Sequence, residues 1–106
     1  MSQLPAPVQR LIDATNAGDS AGFLAAFAPD AVLVDWGKEF RGAEAIADWN
    51  ESDNIGRESR LRVLGVERDD EAHLVRIAVS GKGFNGESFF RFTVADGLIS
   101  NLSIAP

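Results

Sequence analysis

The sequence predicts an α+β fold in which three N-terminal helices pack in a curved, mostly antiparallel sheet. Apolar residues recur at helical spacing in the first half of the chain and at a spacing of two in the second half. Tight-turn signals separate the segments of the second half, so its strands should pair in sequence order as a meander. The 106 residues suffice for one domain, and we assign residues 1–106 to it.

The first two helices are predicted from apolar stripes and end signals. The stripe of the first helix consists of Val8, Leu11, Ile12 and Thr15. Gly18 can end this helix in a left-handed conformation, and Asp19 or Ser20 can cap the next one. The buried face of the second helix is predicted to contain Phe23, Leu24 and Phe27. Pro29 should end it, because the residue before a proline avoids helical angles.

A strand and a third helix follow. The segment Ala31–Trp36 is apolar on both sides apart from one aspartate, which predicts a strand that is covered on both faces. A turn with a short strand at Phe40–Arg41 leads to Gly42, after which a helix should begin. One face of this helix carries Ile46, Trp49, Asn50 and Asp53.

The second half is predicted to form four strands. Their ranges are Leu61–Arg68, Ala72–Phe84, Glu87–Ala95 and Leu98–Ile104. The turns between them are Asp69–Glu71, Asn85–Gly86 and Asp96–Gly97. The last two pairs favour two-residue hairpin turns, which need a positive φ at both central positions.

Composition excludes several classes of function. Sixteen acidic and 10 basic residues give a net charge of −6, which disfavours nucleic acids and anionic membrane surfaces as partners. The absence of cysteine and the single histidine exclude thiolate catalysis and a multi-histidine metal site, and no metal or organic cofactor is predicted. No apolar run approaches the ~20 residues of a membrane span, and MSQLPAPVQR lacks a secretory signal pattern. We therefore expect a cytoplasmic protein.

Asp35 is the best candidate for a catalytic group. Strand alternation places it on the same side as Ala31 and Leu33, whereas Trp36 should face the other way. A carboxylate among apolar residues loses hydration, which favours a role as a proton acceptor. In the alternative interpretation, Asp35 only accepts hydrogen bonds from the backbone of the turn Gly37–Glu39.

Three motifs carry a family resemblance. They are N-A-G-D between the first two helices, F-A-P-D-A-V-L-V-D from the second helix into the first strand, and G-K-E-F-R-G-A-E-A-I from the following turn into the third helix. Their order resembles the nuclear transport factor 2-like superfamily and, within it, its SnoaL-like and ketosteroid-isomerase-like members. The resemblance covers nearly the whole chain and is most specific over residues 16–49. It implies a cone-shaped α+β barrel with an apolar pocket at its open end and a homodimer formed through the outer sheet face.

The resemblance also places part of a catalytic site. In ketosteroid isomerases an aspartate moves a proton beside a carbonyl, and Asp35 falls at that position. The tyrosine and the protonated aspartic acid that stabilise the enolate align with Leu11 and Ser88, and this chain has no tyrosine. Because each such donor contributes ~3–4 kcal/mol, steroid isomerisation is not expected. Ser88 could supply one weaker hydrogen bond, and the indole of Trp36 or Trp49 another.

The walls of the implied pocket are apolar and rich in phenylalanine. Such a lining suits a small, flat, apolar ligand, although the same rings could simply fill the core. The candidate ligand-binding residues are Leu11, Phe27, Trp36, Phe40, Trp49, Asp53, Ser88, Phe90 and Phe92.

Two functional hypotheses follow. The chain is either a small enzyme that uses Asp35 for acid/base chemistry on an apolar carbonyl compound, or a non-catalytic module for ligand binding or dimeric assembly. Polyketide cyclases of the SnoaL type use an aspartate with a histidine nearby. His73 is expected at the surface beside an acidic turn, and that chemistry would apply only if His73 faced inward with Val75, Ile77 and Val79.

Overall fold

Three helices pack against one face of a six-stranded sheet. This is a computed structural model, and it describes residues 4–106. The helices are α1 (Ala6–Ala17), α2 (Ser20–Ala25) and α3 (Gly42–Asp53), followed by a single 3-10 turn (Ile55–Arg57). The strands are β1 (Phe27–Asp35), β2 (Lys38–Arg41), β3 (Arg60–Asp69), β4 (Ala72–Ser80), β5 (Gly86–Ala95) and β6 (Leu98–Ala105).

The ends of α1 and α2 form as their residues predict. Gly18 has a φ of 70° and ends α1 in the left-handed region, where the lack of a Cβ avoids a steric penalty. Asp19 rather than Ser20 caps α2, and its side chain accepts the N–H of Gly22 at 2.9 Å. This cap satisfies one of the backbone donors that a helix leaves free at its start.

The boundary between α2 and β1 differs from the prediction. Phe27, expected on the second helix, is the first residue of β1 and already pairs with Ile99 of β6. Pro29 therefore lies inside the strand instead of ending the helix. The pairing with β6 shifts register between Phe27 and Val32, and such an irregularity tolerates a residue that has no N–H.

The sheet order is β2-β1-β6-β5-β4-β3. Strands β3 to β6 form the predicted antiparallel meander, and β6 then pairs in parallel with β1. The predicted α+β fold with three packed helices is thus confirmed. The sheet itself is open and mixed rather than closed into a barrel, with β2 and β3 as its edges. Helices cover the space between these edges, because α1 contacts β3 and α3 contacts β1 and β2.

The hairpin turns match the prediction at one of two positions. Asp96 and Gly97 have φ values of 53° and 76°, as a primed turn requires. The turn expected at Asn85–Gly86 is wrong, since β4 ends before Gly81 and does not reach Phe84. A five-residue loop replaces it, because the Asn85 side chain bonds the N–H of Gly81 at 3.2 Å and its carbonyl at 2.9 Å.

The core lies between the helices and the inner face of the sheet. Its largest fully buried side chains include Leu11, Phe23, Leu33, Ile46, Ile77, Phe92 and Leu102. Within residues 4–106, no helix is long and apolar enough to cross a membrane.

Candidate functional site

A cavity of about 250 Å³ opens at one end of the sheet, where β1, β4 and β6 end and β3 and β5 begin. Six of the residues proposed from the sequence line it: Asp35, Trp36, Trp49, Asp53, Ser88 and Phe90. Six further lining residues were not foreseen: Asn54, Ser59, Leu61, Val79, Phe84 and Ile104. Most of these lie at element ends or in loops, whose meeting point depends on the tertiary fold rather than on local pattern.

Four proposed ligand-binding residues lie away from this cavity. Leu11 on α1, Phe27 at the start of β1 and Phe92 on β5 are buried in the core, and Phe40 on β2 is half-buried. Phe92 is two residues beyond Phe90, further from the open end of the sheet. The position that aligns with the isomerase tyrosine, Leu11, therefore contributes packing and does not form part of the cavity wall.

Asp35 is the last residue of β1 and lies opposite Ile104 of β6. Its side chain is half-buried on the inner face of the sheet, together with Leu33, as alternation predicts. One carboxylate oxygen, Oδ2, accepts the indole N–H of Trp49 at 3.0 Å. Among residues 4–106 the carboxylate accepts no bond from the turn Gly37–Glu39, and Oδ1 accepts no hydrogen bond.

Trp49, on α3, donates the hydrogen bond that orients the Asp35 carboxylate. It is on the inner face of α3, is only 5% exposed, and stacks on Phe23 with ring centroids 6.1 Å apart. Core packing therefore fixes the direction of the indole N–H. Because this donor is used by Asp35, it is not available for the oxygen of a ligand.

Trp36 occupies a different place from the one that alternation predicts. Its φ of 51° is left-handed, which breaks the strand pattern at this residue. The ring consequently does not lie on the outer sheet face but lines the cavity mouth, where it contacts Phe84.

Ser88 supplies a hydroxyl to the cavity wall. It faces inward from β5 opposite Ile77, is 2% exposed, and makes no side-chain hydrogen bond within residues 4–106. In the sheet, β5 is two strands away from β1, and Ser88 lies two residues along β5 from Phe90, which is level with Asp35. At ~4.8 Å between strands and ~3.3 Å per residue, the Cα atoms of Ser88 and Asp35 are roughly 12 Å apart. A small ligand could contact both side chains.

A buried polar network supports the cavity below α3. The Asn54 amide donates to Thr15 Oγ1 at 3.2 Å and to Asn50 Oδ1 at 3.0 Å. These bonds tie the end of α3 to α1. The network fixes the segment that carries Asn54 and Ser59 into the cavity wall.

The cavity has a negative character. Its described lining includes the carboxylates of Asp35 and Asp53, and no lysine, arginine or histidine. A negatively charged ligand would meet repulsion that no cation offsets. Within residues 4–106, no group of three or more histidine, aspartate and glutamate side chains is arranged to hold a metal ion.

His73 faces inward, which differs from the expected surface position. It shares its side of β4 with the buried residues Val75 and Ile77 and lies opposite Phe92. In the sheet, β4 is three strands away from β1, and His73 lies two residues along β4 from the position level with Asp35. At the usual sheet spacings their Cα atoms are roughly 16 Å apart. His73 does not line the cavity.

The surroundings of His73 disfavour its charged form. Its Nδ1 is buried without a hydrogen-bond partner in the described part of the chain. Burial and the nearby Arg68 guanidinium lower the pKa of His73 below its ordinary value. The paired aspartate and histidine of the polyketide cyclases are therefore not assembled from Asp35 and His73.

Comparisons with known proteins agree with this architecture. The profile of the SnoaL-like domain matches residues 8–102. A candidate polyketide cyclase from Sinorhizobium meliloti is 32% identical, covers 95% of this chain and 94% of its own, and has a TM-score of 0.83.

Two further structures share the fold. The Δ5-3-ketosteroid isomerase from Mycobacterium sp. has 22% identity, coverage of 95% and 90%, and a TM-score of 0.81. A computationally designed binder of 17-OHP has 23% identity, coverage of 99% and 92%, and a TM-score of 0.84. At these identities the likeness concerns the fold alone. No curated protein sequence matches the chain.

Proposed function

Because this chain belongs to the SnoaL-like domain family, we propose that its cavity binds a small apolar carbonyl compound and that Asp35 moves a proton beside the carbonyl group. The supporting observation is that Asp35 and the free hydroxyl of Ser88 line the same cavity. Proton transfer beside a carbonyl needs a base for the proton and a donor for the oxygen. Isomerase, cyclase and dehydratase reactions share this step.

In the proposed mechanism, each polar group has one role. Oδ1 of Asp35 takes the proton, while the Trp49 indole holds Oδ2 and so fixes the plane of the carboxylate. The Ser88 hydroxyl donates to the carbonyl oxygen as negative charge develops on it. A single neutral donor stabilises this charge less than the two donors of an isomerase, each of which contributes ~3–4 kcal/mol. The reaction should therefore be slow or should use an activated carbonyl compound.

Hydrogen exchange beside a carbonyl tests this proposal without knowledge of the natural substrate. The ketone 2-tetralone is incubated with the protein in D₂O, and loss of its α-hydrogen signals is followed by NMR. Wild type should accelerate the exchange, Asp35→Asn should reduce it to the background rate, and Ser88→Ala should slow it by about 10-fold or more. The matched control is Asp30→Asn, because Asp30 is an exposed aspartate on the same strand. Equal rates for wild type and Asp35→Asn would refute the proposed role of Asp35.

The second candidate is a non-catalytic binding module. It is favoured by the lack of tyrosine and by the use of the Trp49 indole by Asp35, which leave Ser88 as the proposed donor to a ligand oxygen. The same experiment separates the two candidates. A binding module would bind 2-tetralone, measured by calorimetry, and would leave its exchange at the background rate.

We further propose that the chain forms a homodimer through the outer face of the sheet, as the family resemblance implies. Phe89 is 40% exposed on this face, between Arg76 of β4 and Ala105 of β6. Val32 and Val34 of β1 add half-buried apolar surface. Burial of this surface against a second copy would remove it from water. A cytoplasmic location, and the exclusion of nucleic acids and membranes as partners, stay predictions from composition.

A further inference from the structure

Two aromatic rings meet at the mouth of the cavity. Trp36 is 56% exposed and Phe84 is 44% exposed, which makes them the most exposed large apolar side chains in the described part of the chain. Their ring centroids are 5.8 Å apart, and the planes meet edge to face at 66°. Both residues also line the cavity. Rings that are so exposed contribute little to the core, so packing does not account for their position.

The backbone carries Trp36 in a conformation that disfavours large side chains. Trp36 and Gly37 are the central residues of the β1–β2 turn, with φ values of 51° and 89°. Asparagine followed by glycine is the preferred pair for such a turn, and a tryptophan in its place carries a steric penalty. The turn is nevertheless held firmly, because the Trp36 N–H donates to the carbonyl of Ile104 at 3.0 Å. Strain of this kind at a cavity mouth points to a functional role for the ring.

The loop between β4 and β5 places Phe84 with similar constraints. Lys82 anchors the base of this loop through an ion pair with Glu58 at 2.7 Å and a backbone bond to Arg57 at 2.8 Å. The Phe84 ring lies over Gly86, where an added Cβ would come within 3.1 Å of it. These hydrogen bonds restrain the backbone on both sides of the mouth, so we expect side-chain rotation to account for most of the change in distance between the rings.

The volume and the charge of the cavity restrict which ligands could bind beneath Trp36 and Phe84. A dry cavity of ~150 Å³ suffices for benzene, so a cavity of about 250 Å³ accommodates one or two fused rings. The carboxylates of Asp35 and Asp53, without a lining cation, disfavour an anionic ligand. The exposed rings and the apolar wall favour a flat one.

We propose that Trp36 and Phe84 form an aromatic clamp that closes on the ligand and selects neutral, planar compounds of one or two fused rings. Aromatic rings prefer offset or edge-to-face contacts with one another, which a saturated, puckered ring cannot make. The clamp rests on the proposed function, since it specifies which carbonyl compounds reach Asp35. Trp36 and Phe84 are specificity-determining residues in this proposal, and neither takes part in proton transfer.

The test compares two ketones that differ in planarity. Affinities for 2-tetralone, which has one aromatic ring, and for its saturated counterpart 2-decalone are measured by calorimetry. Wild type should prefer 2-tetralone. Trp36→Asn, which removes the ring but suits the turn, and Phe84→Ala should each weaken 2-tetralone binding by about 2- to 10-fold, the loss expected for one aromatic contact. Binding of 2-decalone should change much less.

Closure of the clamp can be observed directly. The chain has two tryptophans, of which Trp36 is 56% exposed and Trp49 only 5%, so acrylamide quenches chiefly the emission of Trp36 in the wild-type protein. Quenching of this emission by acrylamide should fall when 2-tetralone binds. The matched control is Phe40→Leu, which removes a half-buried ring on β2 that does not line the cavity and should leave both affinities unchanged.

The possible results distinguish failure of the clamp proposal from failure of the proposed ligand site. If wild type binds 2-tetralone and both clamp variants bind it equally well, the clamp is refuted while the proposed site stands. Equal wild-type affinity for the two ketones also refutes the clamp. If wild type binds neither ketone, the proposed ligand site fails, and the clamp fails with it.

Discussion

At the scale of single residues, the contact between Asp35 and Trp49 combines structural and chemical roles. The indole N–H donates to one oxygen of this half-buried carboxylate, and the other oxygen accepts no hydrogen bond within residues 4–106. A hydrogen bond to a charged group contributes ~1.5–3 kcal/mol, more than one between neutral groups. Loss of the donor leaves a partly desolvated charge without a partner in the fold.

Trp49→Phe should therefore destabilise the protein by about 1–3 kcal/mol, beyond the effect of the smaller ring. Unfolding in urea at pH 7 measures the change. A double-mutant cycle with Asp35→Ala isolates the pair, and we expect a coupling energy of about 1 kcal/mol or more. Additive effects, within about 0.5 kcal/mol, would show that the hydrogen bond contributes nothing to stability.

His73 predicts a pH effect that is independent of the cavity. Since burial and Arg68 lower the pKa of His73 in the folded state, the unfolded chain takes up the proton first as the pH falls. Its contribution to stability is present above about pH 6.5 and is lost as the pH falls through the lower, folded-state pKa. The free energy of unfolding of His73→Gln should consequently fall less between pH 7.5 and 5 than that of wild type. Parallel curves would contradict this assignment.

Residue-scale reasoning from sequence succeeds where the pattern is local. The inward direction of Asp35 follows from strand alternation alone. The donor on Trp49 could not be assigned to Asp35, because this contact depends on how α3 crosses the sheet. The position of Trp36 was missed because the turn gives it a positive φ, which ends the alternation.

At the scale of elements, a single side chain ties α1 to the sheet. The Asn16 amide donates to the carbonyl of Leu61 at 2.9 Å and accepts its N–H at 2.7 Å. It thus completes the backbone hydrogen bonding of Leu61 near the start of the edge strand β3. Since Leu61 also lines the cavity, this contact holds part of the cavity wall in place.

Asn16→Ala removes both bonds and should destabilise the fold by about 1–3 kcal/mol, at ~0.5–1.5 kcal/mol for each. Thermal or urea unfolding measures this change. The matched control is Gln9→Ala on the same helix, which removes an exposed bond to Asp13 and should change stability by less than about 0.5 kcal/mol. If Asn16→Ala lowers the free energy of unfolding no more than Gln9→Ala does, the two Asn16–Leu61 hydrogen bonds do not stabilise the fold.

The elements themselves were largely predictable from periodicity and end signals. The two boundaries that differ depend on contacts that helix and strand periodicity does not show. Phe27 joins β1 because Ile99, far along the chain, pairs with it. The strand β4 ends early because the Asn85 side chain closes a loop back onto Gly81. The pairing of Phe27 with Ile99 leaves no signal in the local sequence.

At the scale of the whole molecule, the outer sheet face is the proposed site of dimerisation. Phe89→Glu replaces the exposed ring on this face with a charge and should convert a dimer to a monomer. Light scattering coupled to size-exclusion chromatography measures the mass. Ala43→Glu is the control, because it adds the same charge at an exposed position of α3. A wild-type protein that is monomeric at high concentration would refute the dimer.

The parallel pairing of β6 with β1 has a consequence for synthesis on the ribosome. The strand β6 is made after the other five strands of this sheet and lies between β1 and β5, so β1 and β2 remain a two-stranded hairpin until β6 has been made. Roughly 60 residues must follow β1 before β6 emerges, a delay of about 3–12 s at ~5–20 residues per second. An isolated hairpin is marginally stable at best. The edge of β1 that later pairs with β6 therefore stays unpaired during this interval, and a nascent chain that stalls before β6 offers this edge to chaperones and proteases.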